Sequence, residues 1–293
     1  MGVIMAEVMV GVIGGSGLYA IEGLSDAEEV ALNTPFGRPS DSIVTGRLVG
    51  VRVAFLPRHG RGHRISPSEL PAQANVWAMK SLGVTHLLSI SAVGSLREAY
   101  APRDVVIPDQ LIDRTKGVRP ATFFGQGLVV HVGFAQPYCP ELRQIMYAAA
   151  REAGSTAHNG GTLVVMEGPQ FSTKAESLFH RQIGGDLIGM TALPEAKLAR
   201  EAEICYCTVA TVTDYDTWHE SREPVTVEMV VGNLLAGVDR AKTMLGLALP
   251  HIAASRRECE CPRACADAII TQRTVIPQER REALRPLVGK YLD

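Results

Sequence analysis

Several kinds of residue able to do chemistry stand at the ends of apolar runs in this sequence: paired carboxylates, an Arg-His pair and small hydroxyls. Asp214 and Asp216 directly follow the β-branched run Cys205–Thr213. Two acids one residue apart at the mouth of a buried strand are desolvated together and repel each other. At least one pKa should therefore rise to where a carboxyl can hold or hand over a proton. Taken alone, the pair could equally cap a helix or sit in a solvated loop.

A second group suits an anion. The run Val51–Leu56 delivers Pro57-Arg58-His59-Gly60-Arg61-Gly62-His63. Arg58 would offer a planar fork of donors matched to an oxyanion, and His59 a switchable one. The HxxxH spacing of His59 and His63 would need a helix to hold zinc, and the two intervening glycines argue against one. Ser16, within Gly14-Gly15-Ser16-Gly17, and Ser91 with Ala92, within Ser91-Ala92-Val93-Gly94-Ser95, place hydroxyls in small-residue turns after strands. There, backbone N–H groups can converge on an anion. No Lys-Ser/Thr of a P-loop and no full GxGxxG is present, so triphosphate and dinucleotide readings lose support. Any one of these turns could be mere packing; together with Arg-His they are more simply explained by one shared anion.

Elements must carry these residues to one place. Between Gly161 and Asp216, strand-like runs (Thr162–Met166, Cys205–Thr213) alternate with helical ones (Ala175–Ile183, Glu195–Ala202), the pattern of βαβ units around a parallel sheet. Glu167, Met190-Thr191 and Asp214-Tyr215-Asp216 then fall at strand ends, where open parallel sheets form their ligand crevices. Elsewhere the pattern predicts strands at Val8–Ile13, Thr85–Ile90 and Asp104–Pro108, and a hairpin of Asp41–Leu48 and Val51–Leu56 through Gly50. It predicts helices at Pro67–Leu82 (capped by Ser66 or Ser68, stopped by Gly83), Pro140–Ala153, Val225–Leu247 and near Pro277–Tyr291. Asp109–Gly127 lacks periodicity and reads as a long surface loop.

The chain has 293 residues, 46% of them apolar, and a net charge of −2. One α/β domain with a large core is expected, with a small-molecule substrate and neither nucleic acid nor membrane as partner. The apolar start runs straight into a Gly-rich turn and reads as a first strand rather than a signal peptide, which points to a soluble, cytoplasmic protein. The six cysteines are too few for a disulfide scaffold. Cys139, Cys205 and Cys207 read as small buried residues. Cys259, Cys261 and Cys265 lie in a polar tail, where a disulfide, a redox pair or a metal knuckle are all open. Metal is the least favoured of the three, because no histidine or second cysteine pair stands near in sequence.

The ordered set Gly14-Gly15-Ser16-Gly17, Thr34-Pro35-Phe36-Gly37, Pro57-Arg58-His59-Gly60, Ser91–Ser95, Met166–Thr173 and Thr213–Asp216 resembles the 5′-methylthioadenosine phosphorylase family, a trimeric branch of the purine nucleoside phosphorylases. The resemblance spans roughly residues 8–247. It implies a single-domain α/β fold with a central mixed, largely parallel twisted sheet flanked by helices. Residues 1–250 would be the catalytic domain, and 251–293 a cysteine-containing extension packed on it.

The resemblance further implies phosphate ligands at Ser16, Arg58, His59, Ser91, Ala92 and Thr191, and substrate contacts at Phe171, Met190, Asp214, Asp216 and Val227. It places specificity at Ser172 and Val227, and gives His131 the task of completing a neighbouring subunit's pocket in a homotrimer or a dimer of trimers. Ser16 and Ser91 stand where the family commonly has threonine, and they keep the hydroxyl. The implied reaction is phosphorolysis of 5′-methylthioadenosine, with phosphate as co-substrate and no metal or organic cofactor. A broader phosphorylase acting on adenosine, inosine, guanosine or methylthioinosine is the alternative. Asp214 is the candidate for the proton shared with the purine N7, and Asp216 for accepting from the 6-amino group or fixing Asp214. Two Asp favour adenine, since 6-oxopurines offer an acceptor at position 6. Val227, where hydroxyl-preferring relatives have histidine, favours a methylthio group over a 5′-hydroxyl by about 1–3 kcal/mol.

Overall fold

The computed structural model describes residues 7–15, 22–219 and 227–292. Its first strand, β1 (Met9–Gly14), is buried at every position. The strands β2 (Ser25–Val30), β3 (Ile43–Leu48) and β4 (Val51–Pro57) form an antiparallel meander, and β4 returns to lie parallel beside β1. The expected hairpin forms through Val49-Gly50, both at positive φ (44° and 79°), as a two-residue turn between twisted strands requires.

The single helix expected over Pro67–Leu82 is instead a 3-10 turn, Pro67–Glu69, followed by α1 (Ala72–Ser81). Pro71 explains the break, because it lacks an N–H and holds the preceding Leu70 extended (ψ 123°). Gly83, at φ 92°, follows the end of α1 as expected.

The chain continues through β5 (Val84–Ser95), β6 (Val105–Ile107), β7 (Gln110–Arg114), α2 (Pro140–Glu152), β8 (Ala157–Asn159) and β9 (Thr162–Met166). Then come α3 (Lys174–Gln182), β10 (Leu187–Gly189), α4 (Ala192–Glu201), β11 (Cys205–Asp214), α5 (Val227–Ala254), α6 (Gln278–Ala283) and α7 (Arg285–Leu292). All eleven strands belong to one mixed sheet. The pairs β1/β4, β1/β5, β5/β11, β6/β8, β7/β9 and β9/β10 are parallel, while β2/β3, β3/β4, β5/β10 and β6/β11 are antiparallel. The α/β fold with a largely parallel mixed sheet is therefore the one expected.

Central strands are covered on both sides, which is why they read as near-continuous apolar runs. Val10 and Val12 of β1 join Cys205, Cys207 and Val209 of β11 beneath α2 and α5. Met9 and Ile13, with Tyr206 and Ala210, face the opposite layer of α1, α4 and α7. Helix α5 runs past residue 250 to Ala254, and the tail then folds back. Leu284, Leu287, Val288 and Leu292 enter the same cluster as Ala72, Val76 and Met79.

Two further expectations fail. Asp109–Gly127 is not wholly a surface loop: it contains β7, parallel to β9, and buries Arg119. Only Leu111 and Ile112 are apolar in β7, too short a signal for a strand. Nor are Cys259 and Cys261 without a second pair, because the fold brings Cys139 and Cys205 to them. Among the described residues no helix is long and apolar enough to cross a membrane.

One irregularity positions the site. On one edge of β5, β1 pairs as far as Ser89 and β10 takes over at Gly94, while β11 follows the other edge from His86 to Gly94. Among the described residues, Ile90–Val93 thus has no strand on that edge. The small-residue stretch expected to be a turn is strand with an open side, at the point where β1 and β4 end. A sheet whose neighbours diverge at the strand ends opens a crevice there.

Candidate active site

The acids lie at the end of β11. Asp214 is its last residue and is 7% exposed. One carboxylate oxygen accepts from Thr213 Oγ1 at 2.7 Å and the other from the Asp216 N–H at 2.8 Å. Asp216 adopts a left-handed backbone (φ 50°) that folds it back over its neighbour. Burial pushes both carboxyls above the usual aspartate range. For Asp214 the charge of Asp216 adds to burial, against the two hydrogen bonds. For Asp216 the hydroxyls of Ser177 and Ser172 oppose it. Asp216 Oδ2 is buried without a hydrogen-bond partner among the described residues. A buried oxygen left unpaired costs about 1–3 kcal/mol unless something else meets it. Gly94 lies against the pair: a Cβ there would stand 3.0 Å from Asp214 Oδ1 and 2.9 Å from Ile188, so any side chain would displace the acid.

The open edge of β5 carries Ser91 and Ala92. Ser91 Oγ lies 3.2 Å from Thr191 Oγ1, so two hydroxyls expected to serve one anion meet from elements a hundred residues apart. Thr191 precedes α4 without capping it, which leaves its hydroxyl to the crevice. His59 Nδ1 is 2.8 Å from the Ile65 carbonyl, a contact that fixes the proton on Nδ1 and leaves Nε2 an acceptor. Burial, with Arg58 second, lowers its pKa to about 4, so the ring is neutral at physiological pH. Ser16 lies outside the described residues.

Arg58 differs from expectation. It is 2% exposed, and its side chain turns inward: Nε donates to Glu195 at 2.6 Å, Nη1 to the Ile90 carbonyl, and Nη2 to Ser89 and the Ile13 carbonyl. Four of its five N–H groups are thereby committed, leaving one for a ligand. Its positive charge is matched by Glu195, to which Ser89 and Tyr206 also donate. Sequence reading placed Arg58 correctly at a strand end but could not see Glu195 arriving from α4.

A second buried ion pair went unseen in the sequence. Arg119 donates to Glu167 at 2.8 Å and to the carbonyls of Met190, Leu193 and Glu167. Burial alone would raise the Glu167 pKa. Ser68, the Lys116 N–H and Arg119 overcome it and hold the carboxyl below its usual range. Ser68, expected as a helix cap, instead donates to Glu167 at 2.5 Å. Gly168 (φ 71°) allows Met190 to close over it, since a Cβ there would meet Met190 Sδ at 2.5 Å. A lone arginine in an aperiodic stretch carries no sequence signal for such a clamp.

Among the remaining expected residues, Ser172 is buried beside Asp216, with its Oγ 3.6 Å from Met166 Sδ. Phe171 is 42% exposed. His131 is exposed, its backbone N–H donating to the Ala268 carbonyl. The side chain of Val227 lies outside the described residues. The structure thus joins Asp214, Asp216 and Ser172 into an acid-lined corner, and Ser91 and Thr191 into a hydroxyl pair. Met190 stands just before Thr191, held by Arg119. Such a crevice can seat an anion at the open strand edge and protonate a basic heteroatom at the acids.

Comparison with known proteins shows which family the chain resembles. The model of the Phosphorylase superfamily matches residues 9–248. The S-methyl-5′-thioadenosine phosphorylase of Chloroflexus aurantiacus is 57% identical over 287 residues, covering 98% of this chain and 99% of that one. Its counterpart from Geobacter sulfurreducens is 53% identical, covering 98% and 100%. Among solved structures, a methylthioadenosine phosphorylase from an antarctic soil metagenomic library superposes with a TM-score of 0.91 at 46% identity, over 96% of this chain and 99% of that one. The Schistosoma mansoni methylthioadenosine phosphorylase in complex with adenine gives 0.83 at 38% identity, over 89% and 96%.

Proposed function

We propose, for a chain that belongs to the phosphorylase superfamily, that it cleaves 5′-methylthioadenosine with inorganic phosphate to adenine and 5-methylthioribose 1-phosphate. Phosphate occupies the open edge of β5, against the hydroxyls of Ser91 and Thr191 and the backbone of Ala92 and His59, and the family resemblance assigns Ser16 a further phosphate contact. Arg58 contributes at most one direct N–H and otherwise ties β1, β5 and α4 together around the anion. The neutral His59 can accept from a protonated phosphate oxygen through Nε2.

Bond breaking sends the C1′–N9 electron pair into the purine while a phosphate oxygen closes on C1′, through an oxocarbenium-like sugar. The departing purine gathers negative charge, which protonation at N7 removes. Asp214, with its raised pKa, holds that proton, and its two accepted hydrogen bonds aim the carboxyl. Asp216 Oδ2, buried without a partner, accepts from the 6-amino group of adenine. That unmatched oxygen beside a second buried acid is the observation that carries the assignment. Phe171 and Met190 line the nucleoside and Ser172 supports Asp216, while the preference for a methylthio group is assigned to Val227 by the family resemblance. The reaction needs no metal or organic cofactor.

A homotrimer, alone or paired into a dimer of trimers, completes the site, with His131 reaching a neighbour's pocket. Phe171, Leu178, Phe179 and Ile183 are exposed large apolar residues on and around α3, an area suited to burial against another copy. The enzyme works in the cytoplasm, in keeping with six free cysteines.

The test is turnover of 5′-methylthioadenosine beside adenosine and inosine at fixed phosphate. The expected order is methylthioadenosine, then adenosine, with inosine far behind. Equal or better use of inosine would overturn the roles of Asp214 and Asp216, and preference for adenosine would overturn that of Val227.

A further inference from the structure

Away from the crevice, four cysteines from three parts of the chain converge. Cys139 immediately precedes α2, Cys205 is the first residue of β11, and Cys259 and Cys261 come from the tail after α5. Their sulfurs all lie within 4.8 Å of one another. Cys259 Sγ is 3.6 Å from Cys139 Sγ and 3.5 Å from Cys205 Sγ.

We infer that these four cysteines form a structural metal site that takes a divalent, thiophilic cation, with zinc as its natural occupant. The distances carry the argument. Four thiolates about 2.3 Å from a tetrahedral zinc stand roughly 3.8 Å apart. The observed separations approach that edge and are far from the roughly 2.05 Å of a disulfide. Cys259 is nearly equidistant from two partners, which suits a shared centre better than a pairing of sulfurs two by two.

An all-sulfur set selects a soft or borderline ion over magnesium, calcium or manganese. Four protein ligands leave no open position, so the metal holds structure and takes no part in catalysis. Binding releases the thiol protons to solvent and places a dication among four thiolates, with no change of oxidation state. His86 stands opposite Cys205 in the parallel register, outside the set. The consequence is mechanical: the metal would pin the returning tail to the start of α2 and the foot of β11, at the end of the sheet remote from Asp214. Cys265 stands apart, its Sγ 3.3 Å from the Glu201 carbonyl.

The experiment is metal analysis of the full-length protein, purified with reductant and without chelator, together with a thiol count of the unfolded chain. Roughly one zinc per chain is expected, with release on titration of four thiols by a mercurial reagent. Reduced, metal-stripped protein should take up Co²⁺ with the intense sulfur-to-metal charge-transfer bands of a tetrathiolate. Cys261→Ser should lose most of the bound metal and melt at a lower temperature. Cys265→Ser, outside the cluster, should retain the metal, and it controls for folding. A reduced wild-type chain that binds neither Zn²⁺ nor Co²⁺ would overturn the proposal. So would protein purified without reductant in which four thiols are missing until reductant is added, since that marks two disulfides in the same place.

Discussion

Two sets of buried acids sit near the same crevice and are treated in opposite ways. Glu195 and Glu167 are each paired with a buried arginine and ringed by further donors. Asp214 and Asp216 face each other without a cation among the described residues, their carboxyls pushed upward and one oxygen unmatched. A fold that fully satisfies one set has the means to satisfy the other. The difference sets the glutamates apart as struts and is the ground on which the aspartates are proposed to meet a ligand.

The largest expected effect breaks the aspartate side. Asp214→Asn should lower kcat/KM for methylthioadenosine by roughly 10²–10⁴-fold, the worth of a positioned proton donor. Residual activity should shift toward 6-oxopurines, with little change in melting temperature. Ordinary turnover in this variant would remove the distinction between the two sets.

Glu195→Ala tests the opposite side. Leaving Arg58 buried and uncompensated should cost about 3–5 kcal/mol of stability, read by chemical denaturation. A loss confined to activity, with stability intact, would mean that Arg58 is a ligand rather than a strut. A smaller effect is expected at the hydroxyl pair. Ser91→Ala and Thr191→Ala should each raise the KM for phosphate by about tenfold, the worth of one hydrogen bond to a charged group, and leave the KM for the nucleoside nearly unchanged.

The smallest effect concerns pH. His59 is held at about 4 against 6.5 in the unfolded chain, so between those values the unfolded state binds more protons, and stability falls on acidification. Glu201, buried where it accepts from Thr122 and the Phe123 N–H, is pushed up to about 7 from 4.5. Its contribution is complete below 4.5 and is lost as pH rises through 7, so the two slopes oppose each other. Glu201→Gln should therefore show stability that rises more steeply with pH than the parent's over pH 4.5–6.5, read from melting temperatures. Parallel profiles would contradict it.

Much of this architecture was legible because burial on both faces makes strands such as β1, β9 and β11 continuous apolar runs, and Gly83 announces a helix end. The acids could be found because they directly follow such a run. What escaped depends on distant partners. The partner that holds Arg58, Glu195, lies 137 residues away, and Arg119 looks like loop until Glu167 is seen beside it. The same holds for Cys139 and Cys205, unremarkable in sequence until the tail returns to them.

The most direct test of the central claim is release of adenine from 5′-methylthioadenosine across a phosphate titration that starts from none. Release that vanishes without phosphate, saturates with it and yields 5-methylthioribose 1-phosphate is the expected result. Phosphate-independent release yielding free methylthioribose would contradict the account, because it would mean that water, not an anion at the open edge of β5, attacks the sugar.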